Sequence, residues 1–410
     1  MLNKIIPLET RKLIKSKVLS LSKYLNKSEL IGTSKTALSK VNHQGDIINF
    51  SIISWNYRFQ RPQQLVKGFE NDNLRTFYIE TELIPSTAKK AIIKLKKISK
   101  NIFLVNLSAS KELFIYTQKP SKKDVEIFNK SFTNLIEQSS IKNPILKIDH
   151  PFWYYFLKKS KYPIIYDCMD NHKDFPYYSP DLERIERSLI KNSEHVIVTS
   201  RYLQKKINRT NKNTSLVPNA VDYSHFSKSH PIAPEDMSKM RKPIIGYYGA
   251  ISSWMDEKLI KKILIEFPNS TLLLIGRVEN SIISKLNSKY NNLNLLGEKK
   301  YQEIPKYLEH FDVCLIPFKI TPLIKATNPV KIYEYLCKNK AVVSSWLPEL
   351  EPIKELIYLS RNHKHFLKNI HTALKENVNL KRKAYSANNT WEKRSHQIIK
   401  IFKLIYSKYE

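Results

Sequence analysis

Short apolar runs alternate with longer amphipathic stretches from about residue 47 onward, which is the pattern of strands followed by crossover helices. In the first half, Ile48–Ile53, Thr76–Ile79, Ile102–Val105, Ile145–Ile148, Ile164–Tyr166 and Val196–Thr199 read as buried strands. A helix opens at Arg61 and Pro62, another covers 181–191, and Ser200 caps a third. After Leu216–Asp222 a polar, proline-containing stretch runs to about Lys242. A second series follows, with strands at Ile244–Tyr248, Thr271–Ile275, Asn294–Leu296, Val313–Ile316 and Ala341–Ser344. Its helices fall around 256–266, 279–288, 302–309 and 329–338. Ile398, Ile399, Phe402 and Ile405 sit at helical spacing in Trp391–Tyr406, which reads as a closing helix. The alternation predicts an α/β chain with two doubly wound parallel sheets, and 410 residues exceed what one core usually serves. The expected division is a basic extension at 1–45, a first α/β domain at 46–225, a linker at 226–242, a second α/β domain at 243–388 and the closing helix at 389–410.

Composition narrows the class. With 42% hydrophobic and 11% aromatic residues the chain is neither disordered nor fibrous, and its apolar runs are strand-length, too short to span a bilayer. Lys12, Lys15, Lys17 and Lys23 interrupt any apolar core of a secretory signal, so a cytoplasmic protein is expected. Cys168, Cys314 and Cys337 lie in apolar segments without metal-ligand spacing and read as reduced core residues. The formal net charge of +32 calls for a polyanionic neighbour: nucleic acid, anionic lipid or a phosphorylated substrate. Some of it clusters. Lys89, Lys90, Lys94, Lys96, Lys97 and Lys100 interleave with Ile92, Ile93, Leu95 and Ile98, and residues 11–25 repeat the arrangement. Such basic amphipathic segments suit the inner face of a cell membrane carrying anionic lipid, and they equally suit a solvated lysine face on an ordinary helix. No recognition motif accompanies the lysines, so nucleic acid is not an expected partner.

Chemistry concentrates in the second series. Gly249, Gly276 and Gly297 fall directly behind its first three strands, where a missing side chain lets backbone approach phosphate or base. Asn328 reads as an N-cap and Pro329 as the first residue of the last helix, whose free amides would attract phosphate. Lys331 and Glu334, three apart, share a helix face: a lysine at a diphosphate, a carboxylate one turn on for ribose hydroxyls. On spacing alone, such a pair on an amphipathic helix is more often a solvated ion pair. Arg277, just past Gly276, could add positive charge or be a surface residue. In the first series, Asp167 and Asp170 end a strand, Asp170 as a candidate general base and Asp167 as a loop-tying residue; His150 before Pro151 reads as packed. Arg61 and Gln63 open a helix where they could face an acceptor or a donor phosphate.

These segments resemble the two-domain glycosyltransferases of the GT-B fold, especially bacterial cell-surface polysaccharide enzymes of glycosyltransferase family 4. The resemblance rests on Trp55–Gln64, Tyr166–Asp170, Pro218–Asp222, Gly246–Asp256, Leu274–Gly276, Gly297, Phe311–Val343 and Trp391–Arg394, and covers roughly residues 47–405. It implies two Rossmann-like domains facing across a cleft, with the acceptor in the first and a nucleotide-sugar donor in the second. Glu334 looks like the family's ribose-contacting glutamate and Lys331 like its basic residue at the diphosphate; Asn328, Gly249 and Arg277 would line the same donor site. Retention of anomeric configuration is implied, with no protein nucleophile and, in the absence of an Asp-x-Asp pair, no metal or cofactor beyond the donor itself. The implied acceptor is a saccharide or lipid-linked glycan. The chain departs from the family at Ala326, where a second glutamate is usual, and in 251–258, which lacks the usual Arg and Lys pair. A sugar-nucleotide epimerase of the same fold and a non-catalytic binding paralogue are the rival readings.

Overall fold

The computed structural model describes residues 45–175 and 178–409; the basic segment at 11–25 lies outside the described residues. Two parallel sheets carry the chain. The first has eight strands in the spatial order Thr214–Leu216, His195–Val198, Ile164–Cys168, Ile145–Ile148, Asp46–Phe50, Arg75–Ile79, Ile102–Asn106 and Lys94–Lys97. All are parallel except the last, which pairs antiparallel with Ile102–Asn106 at the edge. The second has six parallel strands in the order Leu293–Leu295, Thr271–Ile275, Ile244–Tyr248, Val313–Ile316, Ala341–Ser345 and Tyr358–Ser360. Central strands such as Asp46–Phe50 and Ile244–Tyr248 are buried along their whole length, because helices cover both faces.

The lysine-rich segment at 89–100 is not an amphipathic helix. Lys94–Lys97 is an edge strand with Lys94, Lys96 and Lys97 in solvent and Leu95 half-buried against the first domain's core. Alternation of lysine with an apolar residue satisfies a two-residue period, and charge along an edge discourages pairing with another chain. No helix of the described residues is long and apolar enough to cross a membrane.

The closing helix Trp391–Tyr409 returns to the first domain after the second is complete. Its Ile398, Ile399, Phe402 and Ile405 join Leu65, Val66 and Phe69 of helix Arg61–Asn71 in one apolar cluster. Gly68 makes that approach possible: a Cβ there would lie 1.9 Å from Ser395 Oγ and 2.4 Å from Ser395 Cβ. Residues 226–242 belong with the second domain, since Phe226 and Met237 are part of its core.

The two chain crossings between domains run side by side. Val221 N donates to Asn389 O at 3.1 Å and Trp391 N to Val221 O at 3.1 Å, a short parallel bridge. Arg61 clamps the first crossing through Nη1 to Val217 O at 3.0 Å, and Arg394 Nε donates to Pro218 O at 3.0 Å. The expectation that Arg61 faces a phosphate is therefore corrected. Its guanidinium is 3% exposed and grips Asp167 with Nη2 at 2.9 Å and Nε at 3.1 Å. Lys147 Nζ approaches the other side of Asp167 at 2.9 Å and also pairs with Asp149, which accepts from Asn49 Nδ2 at 2.9 Å. Burial alone would raise the pKa of Asp167, but the two cations outweigh it and hold the carboxyl below its ordinary range. Every member of this chain of charges has a partner, as burial requires.

Asp167→Ala would leave the buried Arg61 guanidinium without a carboxylate, and Lys147 with Asp149 alone. Urea unfolding should then show a loss of about 3–5 kcal/mol. A loss below about 1 kcal/mol would mean that the buried pair contributes no more than a surface one.

Candidate functional site

At the carboxyl edge of the second sheet the three glycine turns lie against one another. Gly276 N donates to Gly297 O at 2.7 Å, and a Cβ on Gly276, whose φ is +148°, would stand 2.0 Å from Gly249 O. Gly249, at φ +125°, is covered in turn by Lys331: a Cβ there would lie 2.3 Å from Lys331 Cε. Only glycine fits both the backbone conformation and the space. The sequence thus brings Lys331 down onto a bare turn at the rim of the sheet.

Lys331 is half-buried, with Nζ 5.4 Å from the centre of the Tyr247 ring, and it makes no ion pair with any described residue. It is not the solvated partner of Glu334 that the spacing alone allows. Burial pushes its pKa down, Glu334 pulls it up, and the charge of Arg58 pushes it down further. Glu334, 5% exposed, accepts the hydroxyl of Tyr248 on Oε2; its Oε1 has no hydrogen-bond partner among the described residues. Burial raises the Glu334 pKa to about 7, against the pull of Tyr248 and Lys331 and with the help of Asp222. An ammonium without a carboxylate and a carboxylate with one engaged oxygen are costly arrangements unless an occupant completes them.

Asn328 corrects the expectation made for it. The helix runs Val330–Cys337 with Pro329 as N-cap and no side-chain cap. Asn328 instead ties the helix start to the first crossing: its Oδ1 accepts from Asn219 N at 3.0 Å and Tyr333 Oη at 3.2 Å, and its carbonyl accepts from Asn219 Nδ2 at 2.6 Å. Proline cannot lend a side-chain acceptor, so the helix amides at Val330 and Lys331 are left uncapped by side chains. Ala326, at the family's second glutamate position, is fully buried in the first domain's core cluster. Arg277 is paired with Glu279 at 3.6 Å.

On the facing wall, Asp170 is half-buried, has no side-chain hydrogen bond to any described residue, and has its pKa raised by burial against the opposing pull of His172. The turn that follows, His172–Asp174, touches Pro322–Lys325 of the second domain, so Asp170 stands on the first domain's side of the cleft. His150 is packed: its Nδ1 accepts from Phe152 N at 3.3 Å and its ring meets those of Tyr116 and His172 edge-on. Gln63 is corrected as well. Its amide donates to the carbonyls of Ser54, Trp55 and Arg58, which fixes the loop after the first strand. Trp55 is a core residue set edge-on to Tyr78, while Trp254 is half-buried against the second core.

The sequence reading passed over the residues that span the cleft. Arg58 Nε meets Glu298 Oε1 at 2.6 Å, and Gln64 Nε2 donates to Tyr301 Oη at 2.9 Å. The Tyr301 ring stacks on His225 at 4.7 Å and leans on Phe59 at 5.5 Å. The available signal was the aromatic and basic run Trp55–Arg61 behind a buried strand, which points to a loop at the carboxyl edge without saying which arginine turns outward.

No family model matches the sequence. The chain is 25% identical over 208 residues to the Bacillus subtilis (strain 168) protein named "Putative teichuronic acid biosynthesis glycosyltransferase TuaH", covering 47% of this chain and 52% of that protein. It therefore spans about half the length of the curated relative it matches. Among solved structures, the sucrose-phosphate synthase of Thermosynechococcus elongatus superposes with a TM-score of 0.67 at 15% identity, over 89% of this chain and all of that one. Anabaena Alr3699/HepE, in complex with UDP and glucose, gives 0.63 at 13% identity over 88% and 99%. A trehalose-6-phosphate protein from E. coli bound with UDP-2-fluoro glucose gives 0.64 at 11% identity over 88% and 99%. With two Rossmann-like parallel-sheet domains, a closing helix that returns to the first, and these superpositions over most of its length, the chain has the GT-B glycosyltransferase fold.

Proposed function

We propose that the protein is a glycosyltransferase that takes a sugar from a nucleoside-diphosphate donor and passes it to a cell-envelope saccharide or lipid-linked glycan. The observation that carries this reading is the half-buried Lys331 ammonium, without a carboxylate partner, lying on the Gly249 turn beside Glu334. The likeness to a protein named for teichuronic acid biosynthesis and to proteins solved with UDP or a UDP-sugar supports it.

The donor diphosphate would lie over Gly249, against Lys331 and the amides of Val330 and Lys331, and Glu334 Oε1 would accept a ribose hydroxyl. Charge develops on the diphosphate as the bond from the anomeric carbon to its oxygen breaks. Lys331 and the helix start are positioned to stabilise it without a metal. The acceptor oxygen bonds to the anomeric carbon in the same step. In the retaining course, which we favour, attack is from the leaving-group face and the departing phosphate takes the acceptor proton. In an inverting course Asp170, its pKa raised by burial, would take that proton. NMR of the product should show the donor's anomeric configuration preserved; the opposite configuration would transfer the proton-accepting role to Asp170. We place the work at the cytoplasmic side of the cell membrane, where such acceptors grow.

In a thermal-shift series with nucleoside diphosphates and nucleotide sugars, the donor that stabilises the wild type should lose most of its shift in Glu334→Ala. An undiminished shift would remove Glu334 from the site.

The raised pKa of Glu334 gives a second expectation. A hydroxyl donated by ribose favours the ionised carboxylate, so binding should strengthen as pH rises from about 6 to about 8, with its midpoint near 7. A nucleotide sugar is the right probe, because its diphosphate is esterified at both ends and does not titrate in this range. Glu80 in the first domain is also raised, to about 8, by burial and Glu82. Glu334→Gln separates the two: its binding should be flat across the range, and a preserved slope would assign the titration elsewhere.

A further inference from the structure

We propose that Arg58, carried by the opposite domain, is a ligand of the donor diphosphate and is held on Glu298 until the nucleotide arrives. This rests on the nucleotide-sugar reading above. The second domain supplies one cation directly over its glycine turns, Lys331. Lys258 is exposed, and Arg277 is engaged with Glu279.

The geometry brings Arg58 to the same row of turns. Glu298, its partner at 2.6 Å, directly follows Gly297, whose carbonyl accepts from Gly276 N, while Gly276 abuts Gly249 and Gly249 abuts Lys331. The guanidinium is thus anchored at the end of the same row of turns, and its charge reaches both Lys331 and Tyr247. Two carboxylates, Glu298 and Glu279, face it. The Arg58–Glu298 pair is open to water, with side chains 24% and 46% exposed, so exchanging Glu298 for another anion costs little. A diphosphate offers the planar fork of arginine two oxygens and a higher charge than a carboxylate. The loop itself is stiff: Gln63 Oε1 accepts from Gln60 N at 3.1 Å, and its amide holds the carbonyls of Ser54, Trp55 and Arg58. Because Arg58 belongs to one domain and Lys331 to the other, a diphosphate bridging them would draw the cleft closed.

Calorimetric titration of the full chain with UDP, GDP and ADP, each beside its nucleoside, tests the proposal. For whichever diphosphate binds the wild type, Arg58→Ala should weaken binding at least about tenfold while nucleoside binding is unchanged, and Arg58→Lys should recover part of it. Glu298→Gln, which frees the arginine, should bind the diphosphate more tightly than the wild type. Diphosphate affinity equal in wild type and Arg58→Ala, with Glu334→Ala weakened, would overturn the role of Arg58 and leave the donor site standing. A wild type that binds none of the three diphosphates would overturn both.

Discussion

A guanidinium buried where two domains meet must be neutralised there, and the rest of this molecule is arranged around how Arg61 meets that demand. Asp167 at the end of one strand and Lys147 on its neighbour close the charge, and the remaining donors of Arg61 reach the carbonyl of Val217 and the first interdomain crossing. That crossing pairs with the return crossing through Val221 and Asn389. The two sheets are thereby registered at a point fixed by ionic hydrogen bonds, and Asn219, on the same crossing, holds Asn328 just before helix Val330–Cys337. The position of Lys331 in the cleft follows from a charge balance some distance from it.

Two of the molecule's sets of buried or half-buried charge differ in closure. Around Asp167 each ion has a counter-ion and its hydrogen bonds are made, which is the condition under which burial is tolerable. Around Lys331 the ammonium rests on a glycine turn and an aromatic face, while the carboxylate nearby is pushed up to about 7. The first set is closed within the fold; the second leaves an ammonium and a carboxylate oxygen without partners among the described residues. In the function we propose, a pyrophosphate and a ribose would bring the complementary groups, negative oxygens for the lysine and hydroxyl donors for the glutamate. Ionic interaction of this kind, in a site partly shielded from water, is where a transferase can lower its barrier.

Much of the fold was legible because parallel strands buried on both faces are mostly apolar. Ile244–Tyr248, Thr271–Ile275 and Val313–Ile316 appear in the structure with the bounds their apolar runs imply, and Ile145–Ile148 keeps its bounds although Lys147 interrupts it. Lys94–Lys97 was harder, since alternating lysine and apolar residues satisfy several periods over a short span and only pairing with Ile102–Asn106 selects the strand. Asn328 has the chemistry of an N-cap, and it lost that role because a tertiary partner, Asn219, engages the same oxygen.

What the sequence determined by itself is the order of the central parallel strands, the three bare turns behind the second domain's strands, and the presence of a lysine and a glutamate on one helix face. These are local properties, set by side-chain period, glycine and short spacings. Only the tertiary structure decided which of two nearby arginines is spent inside and which reaches across the cleft. Arg61 and Arg58 are separated by three positions in one loop and helix start, yet one is buried against Asp167 and the other meets Glu298 where both side chains are partly exposed. The distinction arises from partners more than one hundred residues away, and no local pattern encodes where those partners come to lie.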